Sequence, residues 1–266
     1  MNSDAAAGGR QPALFVGHGS PVNAIEDNVW SRAFRALAAG LPRPRAVLAV
    51  SAHWFVPGSY LTANEHPETI HDFFGFPPAL YDVRYPAPGD PELARRAVAL
   101  LGAERAAPRS NWGLDHGTWS VLRHLLPAAD CPVVQLSIHA GLPPEAHLEL
   151  GRVLAPLREE GVLLLGSGNI VHNLRHALGS RARSESGTPA WAAAFDANVA
   201  GAAAQRDGAF LARALDSEAG RISHPSPDHY LPLLYVAGAT HPDDAVSFPI
   251  TGFDFTSLSM RAIRFG

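Results

Sequence analysis

Residues 46–54 read AVLAVSAHW, an apolar run that gives way to Ser51, Ala52, His53 and Trp54. The run is too short for a buried helix and rich in Val and Ala, so it fits a buried strand that delivers His53 to its end. The same grammar recurs in both directions along the chain. PALFVG (12–17) leads into His18 within GHGSP, PVVQLSI (132–138) into His139, and GVLLL (161–165) into the turn GSGN. Helical periodicity lies between these runs, over 28–39, 91–101, 118–126 and 145–159. A further helix is expected after GSGN, carrying His172. Others are expected over the Ala-rich stretch 190–215, interrupted at Gly201 or Gly208, and over the apolar 230–238. Residues 246–265 alternate as strands do. Strands alternating with helices define an α/β fold with a central mixed, largely parallel sheet flanked by helices. In such sheets ligands gather at the strand carboxyl ends.

The composition agrees with one folded unit. The chain has 266 residues, 47% hydrophobic and 17% charged, with 21 basic against 25 acidic side chains and a net charge of -4. That much apolar material supports a sizeable core and argues against disorder. The mildly acidic balance argues against a nucleic-acid partner. All 21 basic residues are arginine, which excludes Schiff-base lysine chemistry and a Walker A lysine. One cysteine, Cys131, cannot form an internal disulfide, and the opening MNSDAAAGGRQ lacks the pattern of a secretory signal, so a cytoplasmic location is expected. The apolar stretches 46–52 and 230–239 fall short of the roughly 18 residues that a bilayer span needs, so no membrane association is expected.

The unusual feature is 13 histidines. A lone loop histidine is ordinarily a surface or hydrogen-bonded residue. His18, His53, His172 and either His224 or His229, however, all fall just past strand ends or at helix starts. Imidazoles gathered at one sheet edge suit Zn(II) or Fe(II). No G-x-S-x-G elbow is present, Cys131 reads as core, and GSGN lacks the spacing of a dinucleotide fingerprint. Asp115 and His116, at the entry of the helix 118–126, read either as site residues or as a helix cap. The segment HPETIHDFFGFPPALYDVRYPAP (66–88) is too apolar for a solvated linker and reads as an ordered loop over a site. Its His71, Asp72, Phe73, Phe74 and Phe76 are candidates for a pocket wall, and Arg175 is a candidate partner of a substrate carboxylate.

The motifs GHGSP (17–21), LPRPRAVLAVSAHW (41–54), IHDFFGFPPALYDVRYPAPG (70–89), DHGTW (115–119), GSGNIVHNL (166–174) and HPSPDHYLPLLYVAGA (224–239) resemble the class III extradiol ring-cleavage dioxygenases. Within that family they are most similar to the 4,5-DOPA extradiol dioxygenase branch. The resemblance implies a non-haem metal enzyme that inserts both atoms of O2 into a catechol ring, with Fe(II) in the active form and Zn(II) able to occupy the site. It implies His18 and His53 as metal ligands. The third ligand maps to His229, where protocatechuate-cleaving relatives carry a glutamate, with His224 as the alternative. His172 matches the family's catalytic histidine and is a possible fourth ligand, and His116 is a second acid/base. His71, Asp72, Phe74 and Asp115 are expected around the substrate. On this reading, 1–11 is a flexible tail and 12–266 a single catalytic domain. Two other functions fit the same histidines: a non-enzymatic metal-binding scaffold and a zinc hydrolase.

Overall fold

The computed structural model describes residues 9–266. Ten strands are present among them: Ala13–Gly17 (β1), Ala46–Val56 (β2), Ser59–Thr62 (β3), Ala106–Arg109 (β4), Val133–His139 (β5), Val162–Gly168 (β6), Val246–Ile250 (β7), Phe253–Asp254 (β8), Leu258–Ser259 (β9) and Ala262–Phe265 (β10). Eight form one sheet in the order β4-β3-β5-β2-β6-β1-β10-β7. Four of its seven pairings are parallel (β1 with β6, β2 with β5, β2 with β6, β3 with β4), so the sheet is mixed with a parallel centre, as expected. The strands β3 and β4 were not legible in the sequence.

Helices cover both faces. They are Val29–Ala39 (α1), Pro78–Tyr81 (α2), Pro91–Leu101 (α3), His116–Leu125 (α4), Pro144–Leu154 (α5), Pro156–Glu159 (α6), Leu174–Ala182 (α7), Ala190–Gln205 (α8), Gly208–Arg213 (α9), Glu218–Ser223 (α10) and Leu231–Gly238 (α11). Period-two alternation along the strands divides the core between the two faces. In β1, Ala13 and Phe15 face the side covered by α5, α8 and α11, while Leu14 and Val16 face α1 and α4. Two helices differ from expectation. The stretch 145–159 is split at Pro156, which has no N–H to continue the ladder. The Ala-rich stretch breaks at Arg206, whose φ of 54° is left-handed, and Gly201 lies inside α8.

The ends of the chain are pinned together by one buried ion pair. Arg158, fully buried, donates to Asp244 at 2.6 and 3.0 Å and to the backbone carbonyls of Gln11, Ala239 and Phe265. Of the expected tail, 1–8 lie outside the described residues. Gln11 is 4% exposed and Arg10 pairs with Asp243 and Asp244, so these two residues belong to the body of the fold. No helix among the described residues is long and apolar enough to cross a membrane.

Candidate metal centre

The sheet brings five histidines to one end. His18 directly follows β1, and its N–H bonds the Gly168 carbonyl, extending the β1–β6 ladder by one step. His53 sits in an irregular stretch of β2. The register with β5 jumps from Val50↔Leu136 to Phe55↔Ile138, so residues 51–54 bulge out of the ladder. A bulge re-aims the side chains it carries. His116 is the first residue of α4, whose N-cap is Asp115. His229 is held by its carbonyl, which accepts from Asn169 N–H just past β6. His172 lies two residues before α7, not within it, and its backbone N–H bonds the Ser223 carbonyl.

Ring centroids fall 5.1 Å apart for His18 and His53, 5.2 Å for His18 and His229, and 5.0 Å for His53 and His229. His116 stands 3.8 Å from His53, and His172 stacks on His229 at 3.4 Å and 5°. Ligand atoms of His18, His53 and His116 all lie within 4.8 Å of one another.

Contacts at Nδ1 favour a bare Nε2 in each ring. Ser167 Oγ donates its only proton to the Gly117 carbonyl, at 2.5 Å, so its 3.0 Å contact with His18 Nδ1 requires His18 to donate. His53 Nδ1 lies 3.2 Å from Asp72 Oδ2, and His229 Nδ1 lies against Asp228 Oδ2, so a proton on each Nδ1 faces an acceptor. In all three rings Nε2 is then the lone-pair nitrogen. His18 Nε2 and His53 Nε2 stand 3.3 Å apart. Two nitrogens bound to one tetrahedral ion at about 2.0–2.1 Å would be separated by about 3.3–3.4 Å. His18 and His53 therefore fit a single divalent cation, and the third ring whose ligand atoms lie within 4.8 Å of theirs is His116, not the expected His229.

Burial keeps these rings neutral, as a metal requires. Desolvation, followed by neighbouring histidines, holds His18, His53 and His229 well below the ordinary imidazole range. Burial likewise pushes His172 down to about 4, and its ring makes no hydrogen bond among the described residues.

Two glycines make the packing possible. A Cβ on Gly168 would meet the His229 carbonyl oxygen at 2.1 Å, and one on Gly117 would meet Ser51 Oγ at 2.5 Å and His53 Cδ2 at 2.9 Å. Gly168, the second glycine of GSGN, thus serves close backbone approach.

Several expected site residues have other roles. His224 donates Nε2–H to the Ile170 carbonyl at 2.7 Å and packs on Tyr230 and Phe195, so its Nε2 is committed elsewhere. Asp115 is fully buried. It accepts from Ser51 Oγ at 2.6 Å, from Thr118 N–H at 3.1 Å and from Gln135 Nε2, which corrects the expectation of a substrate contact. His71 is engaged with the Val83 carbonyl at 3.0 Å. Phe74 is 90% exposed, while Phe73 takes the inward place, edge-on to His116 at 5.4 Å. Arg175 is exposed. Ser167 and Asp228 were missed. Their only sequence signal is position, one between two glycines at a strand end and the other immediately before a candidate ligand.

Known proteins resemble the chain over nearly its whole length. The family described as the catalytic LigB subunit of aromatic ring-opening dioxygenase matches residues 12–265. The chain is 48% identical to the Escherichia coli protein named 4,5-DOPA dioxygenase extradiol, over 97% of this chain and 95% of that one. It is 35% identical to the Beta vulgaris protein of the same name, over 95% of each. The crystal structure of an uncharacterized Escherichia coli protein superposes with a TM-score of 0.84 at 43% identity, covering 97% of this chain and 100% of that one.

Proposed function

The chain belongs to the family of the catalytic LigB subunit of aromatic ring-opening dioxygenases and is an extradiol ring-cleavage dioxygenase; from that premise we propose that it opens a DOPA-like catechol, with residues 12–266 as one catalytic domain. The proposed ligands are His18, His53 and His229, with Fe(II) as the working metal and Zn(II) able to take its place. The observation that carries this reading is the convergence of imidazoles whose Nδ1 atoms are engaged and whose Nε2 atoms are bare. The names of the Escherichia coli and Beta vulgaris relatives support the substrate class.

When bound, the metal supplies a common meeting point for catechol and O2 and a path for electrons from ring to oxygen. The protein supplies proton handling and shape. A catechol must lose a hydroxyl proton to chelate, and His172, neutral and without a hydrogen-bond partner for its ring among the described residues, is available to accept it. Its stacking on His229 fixes it beside the ligand set. His116 faces the site from the α4 terminus, beside His53, and is the candidate for the proton that a later step must gain. Phe73 provides an apolar wall next to it.

The test is anaerobic loading with Fe(II), then addition of O2 and a panel of catechols. O2 uptake with a yellow ring-opened product from a DOPA-like catechol is expected. No uptake with any catechol at full iron loading would overturn the reading.

A further inference from the structure

Asp72 occupies an unusual place in the site. Its Oδ2 lies 3.2 Å from His53 Nδ1 and its Oδ1 lies 3.0 Å from His116 Nδ1. Oδ1 also accepts the backbone N–H of His116 at 2.9 Å. That N–H belongs to the first turn of α4, where the helix dipole favours an anion, so the carboxylate is held by backbone and not only by side chains. The two imidazoles it touches lie 3.8 Å apart between centroids. Asp72 itself comes from the loop that precedes α2, remote in sequence from both.

We infer that Asp72 is a positioning residue, a single carboxylate that anchors His53 and His116 together through Nδ1 and so turns both Nε2 atoms toward the metal. A carboxylate has only acceptors, so either ring can bond it only as the Nδ1–H tautomer; both contacts stand at ion-pair distance, and His116 Nδ1 makes no aligned hydrogen bond. This leaves little of Asp72 for a substrate: its side chain is 19% exposed and each oxygen already faces an imidazole. Charge points the same way. Three neutral imidazoles leave the full dipositive charge of the metal uncompensated. Asp72 behind His53 and Asp228 behind His229 place two negative charges one residue further out. A carboxylate partner on a metal-bound imidazole raises its basicity and fixes its orientation.

The inference rests on the reading of His53 as a metal ligand, and the experiment separates the two. Asp72→Asn and Asp72→Ala are prepared in the full chain beside wild type and His53→Ala. Zn(II) affinity is measured by competition with a chromophoric chelator, and the visible spectrum of the Co(II) form is recorded. Asp72→Asn keeps an acceptor for the His116 N–H but can no longer serve both rings, so it preserves the α4 terminus if Asp72→Ala does not fold. It is expected to weaken Zn(II) binding by about 10- to 100-fold and to shift the Co(II) bands. Wild-type affinity and an unchanged Co(II) spectrum in Asp72→Asn, with His53→Ala having lost metal, would overturn the inference alone. A raised KM for the catechol at unchanged Zn(II) affinity would also overturn it and make Asp72 a substrate contact. Wild-type Zn(II) affinity in His53→Ala would overturn both readings.

Discussion

His18 Nε2 and His53 Nε2 face each other across 3.3 Å, and each ring has its other nitrogen turned to an acceptor, Ser167 Oγ for His18 and Asp72 for His53. Two lone pairs at that distance repel unless a proton or a metal cation lies between them. His18→Ala and His53→Ala should each abolish stoichiometric metal binding, read by metal content after dialysis against a weak chelator. Added Zn(II) should raise the melting temperature of wild type, because a ligand at about 1,000 times its Kd stabilises by about 4 kcal/mol. Neither variant should show that rise.

The third ligand is decided by three substitutions. His229→Ala should lose metal as His18→Ala does, since its Nδ1 is held by Asp228 and its ring stands about equally far from His18 and His53. His116→Ala should retain metal and lose turnover. His224→Ala should retain metal, because that ring is bonded to the Ile170 carbonyl. Metal loss from His116→Ala with retention in His229→Ala would assign the third position to the histidine that lies within 4.8 Å of the other two.

His172 is stacked on His229 without a hydrogen bond to its ring among the described residues, an arrangement suited to proton transfer. His172→Ala should keep metal and lower turnover by about 100- to 10,000-fold, the usual contribution of a general acid or base. Metal loss equal to that of His18→Ala would make His172 a ligand.

Much of this was legible because buried parallel strands leave a plain signature. The apolar runs before His18, His53 and GSGN are β1, β2 and β6, which are neighbours in the sheet. What the sequence hid is what long-range pairing creates. Strands β3 and β4 have four residues each and owe their conformation to the sheet edge, not to local pattern. The bulge at 51–54 exists only against β5. Asp115 and Phe74 look like site residues in their motifs, but a helix cap claims the first and the turn of a loop exposes the second.

Acid should destabilise the metal-free protein. Burial is the main cause that holds His147 and His224 at about 4, against 6.5 for the unperturbed group. The unfolded chain therefore binds more protons than the folded one between those values. The stability these groups contribute is complete above about pH 6.5 and is lost as pH falls toward 4. His18, His53, His172 and His229 act in the same direction. Asp115 opposes them, since burial, helped by Asp72, raises its carboxyl to about 6. The histidines outnumber it, so the urea midpoint should fall steadily from pH 7 to pH 4.5. A flat profile over that range would contradict the burial of these rings.

Two Gly→Ala substitutions should have opposite effects, and the contrast tests whether the GSGN turn serves the metal site. A methyl group on Gly168 would meet the His229 carbonyl oxygen at 2.1 Å and Pro232 Cγ at 3.3 Å. Backbone cannot yield as a side chain does, so the start of α11 must move, and His229 with it. Gly168→Ala should cost about 1–3 kcal/mol of stability and weaken metal binding as well. Gly201 lies within α8, and a methyl group there would meet nothing within 4 Å. Alanine at that position only restricts the unfolded chain and improves helix propensity, so Gly201→Ala should gain up to about 1 kcal/mol and leave metal affinity untouched. Chemical denaturation and chelator competition on both variants read the two effects separately. Wild-type metal affinity in Gly168→Ala would mean that the β6 end does not set the position of His229.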